Sequence, residues 1–309
     1  SVCGQCFFFA KGFAMSTVID SAVLDSVSSK FDFTVDKFPL SGPDSLKTPL
    51  YGLFRSDNSE FVGKPCSKHY VAHQSDDVMA LVESAGEAFE GVGDVQCHFR
   101  DGHYVSITPS KSERRSIYGS ADNIFPRFIV NAGYDGRAFT AIMGFYRDAC
   151  SNLAMMRQVE GTSVSIRHGS GLREKMDDLI QTFAVLKQSW STLSDVIAEL
   201  ENRKVSMIDF LDQVYGQPAE DSKRGKTIHK NRTEAIFRRL SRERFSTGRR
   251  VMDTSYNVSA WEAYNAVQGY VQHDASRKGS PSEFARVIGA SKDTAVKKAE
   301  TLALATLSV

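Results

Sequence analysis

The chain has 309 residues, 41% hydrophobic and 24% charged, a globular balance that excludes a disordered or collagen-like polypeptide and leaves room for one large domain or two ordinary ones. No run approaches the ~18 apolar residues that a membrane helix needs, and Cys6 to Ala10 is too short for a span or a signal-peptide core. Five scattered cysteines, an odd number, argue against a disulfide framework and for a reducing compartment.

Residues 1–14 read as an upstream extension, because Met15-Ser16-Thr17 resembles a natural start. Cys3-Gly4-Gln5-Cys6 has half the spacing of a zinc site, but no second pair follows, so no metal is expected. Residues 15–169 read as a β-rich α/β core. A helix is expected over residues 76–89, where Val78, Leu81, Val82, Ala85 and Phe89 fall at helical spacing. The clearest hairpin runs from Val95 to Thr108 around Asp101-Gly102, a favoured two-residue turn. A second runs from Pro126 to Met143 around Gly133-Tyr134-Asp135-Gly136. Residues 148–158 are expected to be helical, and Thr162 to His168 to be a strand.

Residues 170–309 read as helical. Leu172, Met176, Leu179, Phe183, Leu186, Trp190, Leu193, Ile197 and Leu200 alternate at spacings of four and three. This heptad seam predicts a helix roughly 45 Å long at 1.5 Å per residue. It would pack in a helical hairpin within the chain or along a second subunit; the period does not choose between them. Ser206 with Asp209, Ser259 with Glu262, and Ser280-Pro281-Ser282-Glu283 are helix starts. The last helix is expected over residues 292–307. The expected fold class is therefore α+β: a small antiparallel sheet with hairpins, backed by a long helix and a helical C-terminal half.

The neutral total conceals a polarised chain. Between positions 223 and 250 stand Lys223, Arg224, Lys226, Lys230, Arg232, Arg238, Arg239, Arg242, Arg244, Arg249 and Arg250, against only Glu234 and Glu243. That leaves a charge of +9 on the segment and −8 elsewhere, given a total of +1. A helix over residues 231–245 would turn Ile236, Phe237 and Leu240 inward and Arg238, Arg239 and Arg242 outward. Arginine donates two hydrogen bonds at once to phosphate, and several such contacts give salt-dependent, sequence-independent affinity. The alternative is a solvated basic face that answers an acidic one on the same fold or a neighbour.

Other motifs fail. Gly225-Lys226-Thr227 lacks the glycine five residues earlier that a phosphate-binding loop needs, since position 220 is Glu220. Cys150, Asn152 and His168 suggest a thiol hydrolase, but a cysteine buried on a helix is the commoner case. His98 and His103 merely flank the hairpin turn, and the seven histidines lack ligand spacing. Residues 284–299 align loosely with a helix-turn-helix, and two ordinary short helices fit better.

Several stretches together carry a resemblance. They are Phe61-Val62-Gly63 with His69-Tyr70, then Asn131 to Gly136, Phe145 to Asn152, Ile166-Arg167-His168-Gly169, and Ala260 to His273. Their order resembles the phage/plasmid-like protein family, a domain of unknown function, over roughly residues 55–305. The resemblance implies mobile-element origin and a cytoplasmic location in a bacterial host. By fold analogy, a sheet backed by a long helix with a basic surface is similar to phage single-strand annealing recombinases.

The expectation is a non-catalytic, cofactor-free homo-oligomer that binds single-stranded DNA and promotes strand annealing or recombination. The basic segment would line the groove with Arg137, Arg147 and Arg167, and Tyr134 or Tyr146 would stack bases. Arg147 and Arg167 have a second reading, as buried partners of Asp148 and Asp135. The alternative function is a phage or plasmid structural or protein-interaction component without DNA binding.

Overall fold

The computed structural model describes residues 21–99, 102–109, 113–119, 121–136, 138–147, 152–154, 163–250, 256–275, 286, 290 and 293–308. The first elements are α1 (Ser21–Ser28) and a three-stranded antiparallel sheet of β1 (Val35–Ser41), β2 (Lys47–Arg55) and β3 (Phe61–Cys66). Next comes α2 (Ser75–Ala88), whose start is fixed by a capping box between Gln74 and Asp77 and whose expected apolar stripe is buried.

The larger sheet follows: β4 (Val92–Phe99), β5 (Gly102–Pro109), β6 (Arg115–Ser116), β7 (Asn123–Gly133), β8 (Phe139–Arg147), β9 (Asn152–Ala154) and β10 (Ser163–Ile166). Its order is β10-β8-β7-β5-β4, with β6 beside β7 and β9 beside β8. The hairpin expected from Val95 to Thr108 is β4–β5, with Cys97 opposite Val105. The second is β7–β8, with Ile129 opposite Ile142. The sheet is larger than the small one expected. The helix expected over residues 148–158 gives way at Asn152–Ala154, which pair with Phe145–Arg147 as a strand; the rest of that stretch lies outside the described residues. An exposed backbone edge on β8 offers ladder bonds that a short local segment can satisfy.

The long helix is α3 (Leu172–Asn202). Leu172, Trp190, Leu193, Ile197 and Leu200 are buried, while the side chains of Met176, Leu179, Phe183 and Leu186 lie outside the described residues. It packs on α2, β8, β10 and α6 (Ala260–Gly269) of the same chain. Between α3 and α6 come β11 (Lys204–Ser206), α4 (Met207–Tyr215), α5 (Lys223–Ser246) and β12 (Asn257–Ser259), which pairs with β11. Ser206 caps α4 as expected, and Gly216 ends it at φ +73°. The Ser259–Glu262 capping box opens α6, which runs into a π turn at Tyr270–Asp274. The last helix, α7 (Thr294–Ala305), is capped by Asp293. The start at Ser280 and positions 284, 285, 287–289, 291 and 292 of the helix-turn-helix match lie outside the described residues. The architecture is α+β.

A second, smaller core joins the two sheets. Phe33, Val35, Leu53, Val62, Tyr70 and Tyr134 form it. Beside it His73 and His103 are completely buried, with His73 Nε2 2.7 Å from His103 Nδ1. The His73 ring stacks on Tyr134 at 4.3 Å, and the Tyr134 hydroxyl donates to the His73 carbonyl at 3.1 Å. His103, expected only to flank a turn, is thus part of the joint between sheets.

Candidate nucleic-acid interface

Helix α5 spans almost the whole basic segment, starting eight residues earlier than expected. Its first turn is capped by Ser222, whose Oγ accepts from the Gly225 amide at 3.0 Å. Ile236, Arg239, Leu240 and Glu243 form its buried stripe. These positions recur at three- and four-residue spacing, so the helix period itself sends Arg239 inward with the apolar pair. The expectation that Arg239 points outward with Arg238 and Arg242 is corrected.

The buried arginines are held by carboxylates. Arg147, at the end of β8, binds both oxygens of Asp122 at 2.7 and 2.9 Å and Glu243 at 2.8 Å. Arg239 meets Glu243 at 3.6 Å and hydrogen-bonds Asp274. Arg249 reaches Asp122 at 2.8 Å and Glu201 at 2.6 Å. Arg244 binds Glu262 at 2.8 and 3.0 Å. Burial works to raise the Asp122 carboxyl, but the hydrogen bonds and charge of Arg147 and Arg249 hold it below the usual carboxylate range. This network ties the sheet to α3, α5, α6 and the π turn. Arg147, Arg239, Arg244 and Arg249 are structural members of it and are removed from the phosphate-contacting set, because a guanidinium already paired in a dry site cannot also meet solvent anions.

The outer face of α5 is different. Lys223, Arg224, Lys226, Lys230, Arg238 and Arg242 are exposed there. Their nearby acids are distant: Glu234 lies 3.9 Å from both Lys230 and Arg238, and Asp274 lies 3.6 Å from Arg242. Pairs this loose and this exposed contribute little, so the face keeps its positive field. The first turn holds Lys223, Arg224 and Lys226 and no acid, which opposes the helix dipole and favours an anion there. Arg250 is exposed beyond the helix end, and Arg232 lies over the Tyr215 ring at 4.3 Å. Arg167 is exposed after β10; Arg137 lies outside the described residues. The aromatic candidates also move. Tyr134 is fully buried and cannot stack a base, and Tyr146 is half-buried beneath Arg127.

Two features had no counterpart in the sequence reading. Phe245, at the end of the basic face, is 85% exposed. Between α4 and α5 an open groove of about 600 Å³ is lined by Ile208, Leu211, His229, Phe237, Arg238 and Tyr256, among others. The signal for Phe245 was present: it follows Arg238 and Arg242 by seven and three residues and so shares their side of a helix. The groove brings together segments almost fifty residues apart, which no local pattern reveals.

Among the described residues no group of three or more histidines, cysteines or acids is arranged to hold a metal ion, and no helix is long and apolar enough to cross a membrane. Cys150 of the thiol reading lies outside the described residues; its intended partner His168 directs Nδ1 to the Val71 carbonyl at 3.1 Å.

A family model described as a domain of unknown function (DUF932) matches residues 64–302. No curated protein and no solved structure matches the chain.

Proposed function

We propose that this chain, which belongs to the DUF932 family, is a non-catalytic nucleic-acid-binding protein whose contact surface is the outer face of α5. One observation carries the reading. Six exposed lysines and arginines line that face with only Glu234 among them, while the arginines of the same helix that point inward are neutralised. The buried carboxylates answer the inward arginines, and with Glu220 and Asp221 exposed just before the helix the face still keeps an excess of cations for a polyanion in solution.

Single-stranded DNA is the preferred ligand, bound without ATP or metal. Strand annealing, self-association, a mobile-element origin and a cytoplasmic setting in a bacterial host belong to the same proposal. The resemblance supports the last two.

The test is fluorescence anisotropy with a labelled single-stranded oligonucleotide across a salt series. Single-strand binding weakens with a log–log slope of about 0.7 per phosphate neutralised. Reversing Lys230, Arg238 and Arg242 to glutamate should abolish binding at physiological salt and leave the circular dichroism melt unchanged. Undiminished affinity and an unchanged salt slope in that variant would overturn the surface.

A further inference from the structure

We infer that the groove between α4 and α5 is a nucleobase-binding site, which takes unpaired bases of a strand whose phosphates lie on the basic face. This rests on the function proposed above and extends it from backbone binding to recognition of single-stranded character.

The chemistry of the groove fits a base. Its floor and rim are apolar and aromatic: Ile208 is 45% exposed, Tyr256 is 39% exposed, and the Tyr256 ring meets Phe237 edge-on at 5.3 Å. A flat ring can lie on such a platform, and stacking of this kind is tolerant of sequence because every base has a π-face. The lining also holds Gln217, Thr233 and Ser241, polar side chains that can meet a base edge. A volume of about 600 Å³ lies within the usual range of small-ligand sites.

The surroundings select the occupant. Arg238 belongs both to the groove lining and to the exposed basic face, and Lys230 stands two turns before it on the same side of α5. A polyanion held there presents its bases beside the groove mouth, past the Asp212 and Glu234 carboxylates that also line it, whereas a neutral ligand gains nothing from these cations. The platform is also held in place. Tyr256 has φ +52°, a left-handed conformation that a non-glycine residue keeps only where its surroundings enforce it. Its carbonyl accepts from the Met207 amide at 3.0 Å, which pins the tyrosine to the start of α4.

The experiment compares a dT20 strand with a matched abasic phosphodeoxyribose strand. The wild-type protein should bind dT20 about 10-fold more tightly, the scale of one stacked base. Tyr256→Ala should remove that preference and leave the salt slope intact, and Tyr256→Phe should keep it. Ile208→Glu, at an exposed position where folding is not at risk, should remove it as well and decides the matter if Tyr256→Ala melts early. Equal wild-type affinity for the two strands, or a preference that survives both groove variants, overturns the groove and leaves backbone binding on α5 standing. Wild-type protein that binds neither strand at low salt overturns the groove and the proposed function together.

Discussion

Acidification should unfold this protein through two histidines before its carboxylates matter. His73 and His103 are both 0% exposed. Burial, then the neighbouring His103 and His168, holds His73 far below its ordinary value, and burial, then Arg55, lowers His103 to about 3. A proton on either ring would sit in a dry site against Tyr134, Phe31 and Phe99, facing the Arg55 guanidinium. The folded state therefore excludes protons that the unfolded chain takes up near pH 6.5. Stability is fully present above that pH and is lost as the pH falls through the window down to the folded values. Each histidine contributes about 1.4 kcal/mol per pH unit, so the pair removes about 4 kcal/mol between pH 6.5 and 5, a large part of the ~5–15 kcal/mol of an ordinary domain. His168, lowered by burial but partly accessible, adds a smaller share. Urea denaturation at pH 7.5, 6.5, 5.5 and 5.0, followed by tryptophan fluorescence, measures the slope. A stability that stays flat from pH 6.5 to 5, or an equal slope in a His73→Phe/His103→Leu double variant, would refute the assignment.

Three further outcomes can be measured. Asp122→Asn removes the charge that two buried arginines share, and should cost roughly 3–5 kcal/mol in urea denaturation, as when one partner of a buried pair is lost. Gly63→Ala should destabilise the joint between the sheets: a Cβ there would lie 2.2 Å from the Tyr134 carbonyl oxygen, at φ +70°, and both effects lower the melting temperature. Lys226→Glu should raise helix stability by about 0.3–1 kcal/mol by matching the α5 dipole, and should weaken oligonucleotide binding in the same preparation; a fall in both would contradict the dipole argument.

Local patterns were legible where one period governs a segment. The β4–β5 hairpin, α2 and the caps at Ser206 and Ser259 follow from alternation, apolar spacing and side-chain oxygens at helix starts. The sorting of the arginines was legible in part. Arg239 and Glu243 share the spacing of Ile236 and Leu240, so the inner stripe already contained an ion pair. Arg147 illustrates the limit. Its burial depends on Asp122 and Glu243, the latter 96 residues away, and the sequence suggested Asp148 instead. The same limit hid His73 and His103, which are 30 residues apart in sequence and meet only when the small sheet folds onto the large one.

The residue types themselves explain why one helix has two different basic faces. Every basic side chain in the buried network is an arginine, and all three lysines of α5 are exposed. A planar fork can satisfy two carboxylates in a dry site, as Arg249 does with Asp122 and Glu201, whereas an ammonium keeps more of its hydration and is costly to bury. The inward arginines fix the position of α5 against the sheet and α6. The outward lysines and arginines then project from a helix that is already held, so the proposed strand would meet a contact surface ordered in advance. Neutralising the inner set would therefore loosen the platform, and neutralising the outer set would remove the charge while leaving the platform intact. These are separable effects on one helix.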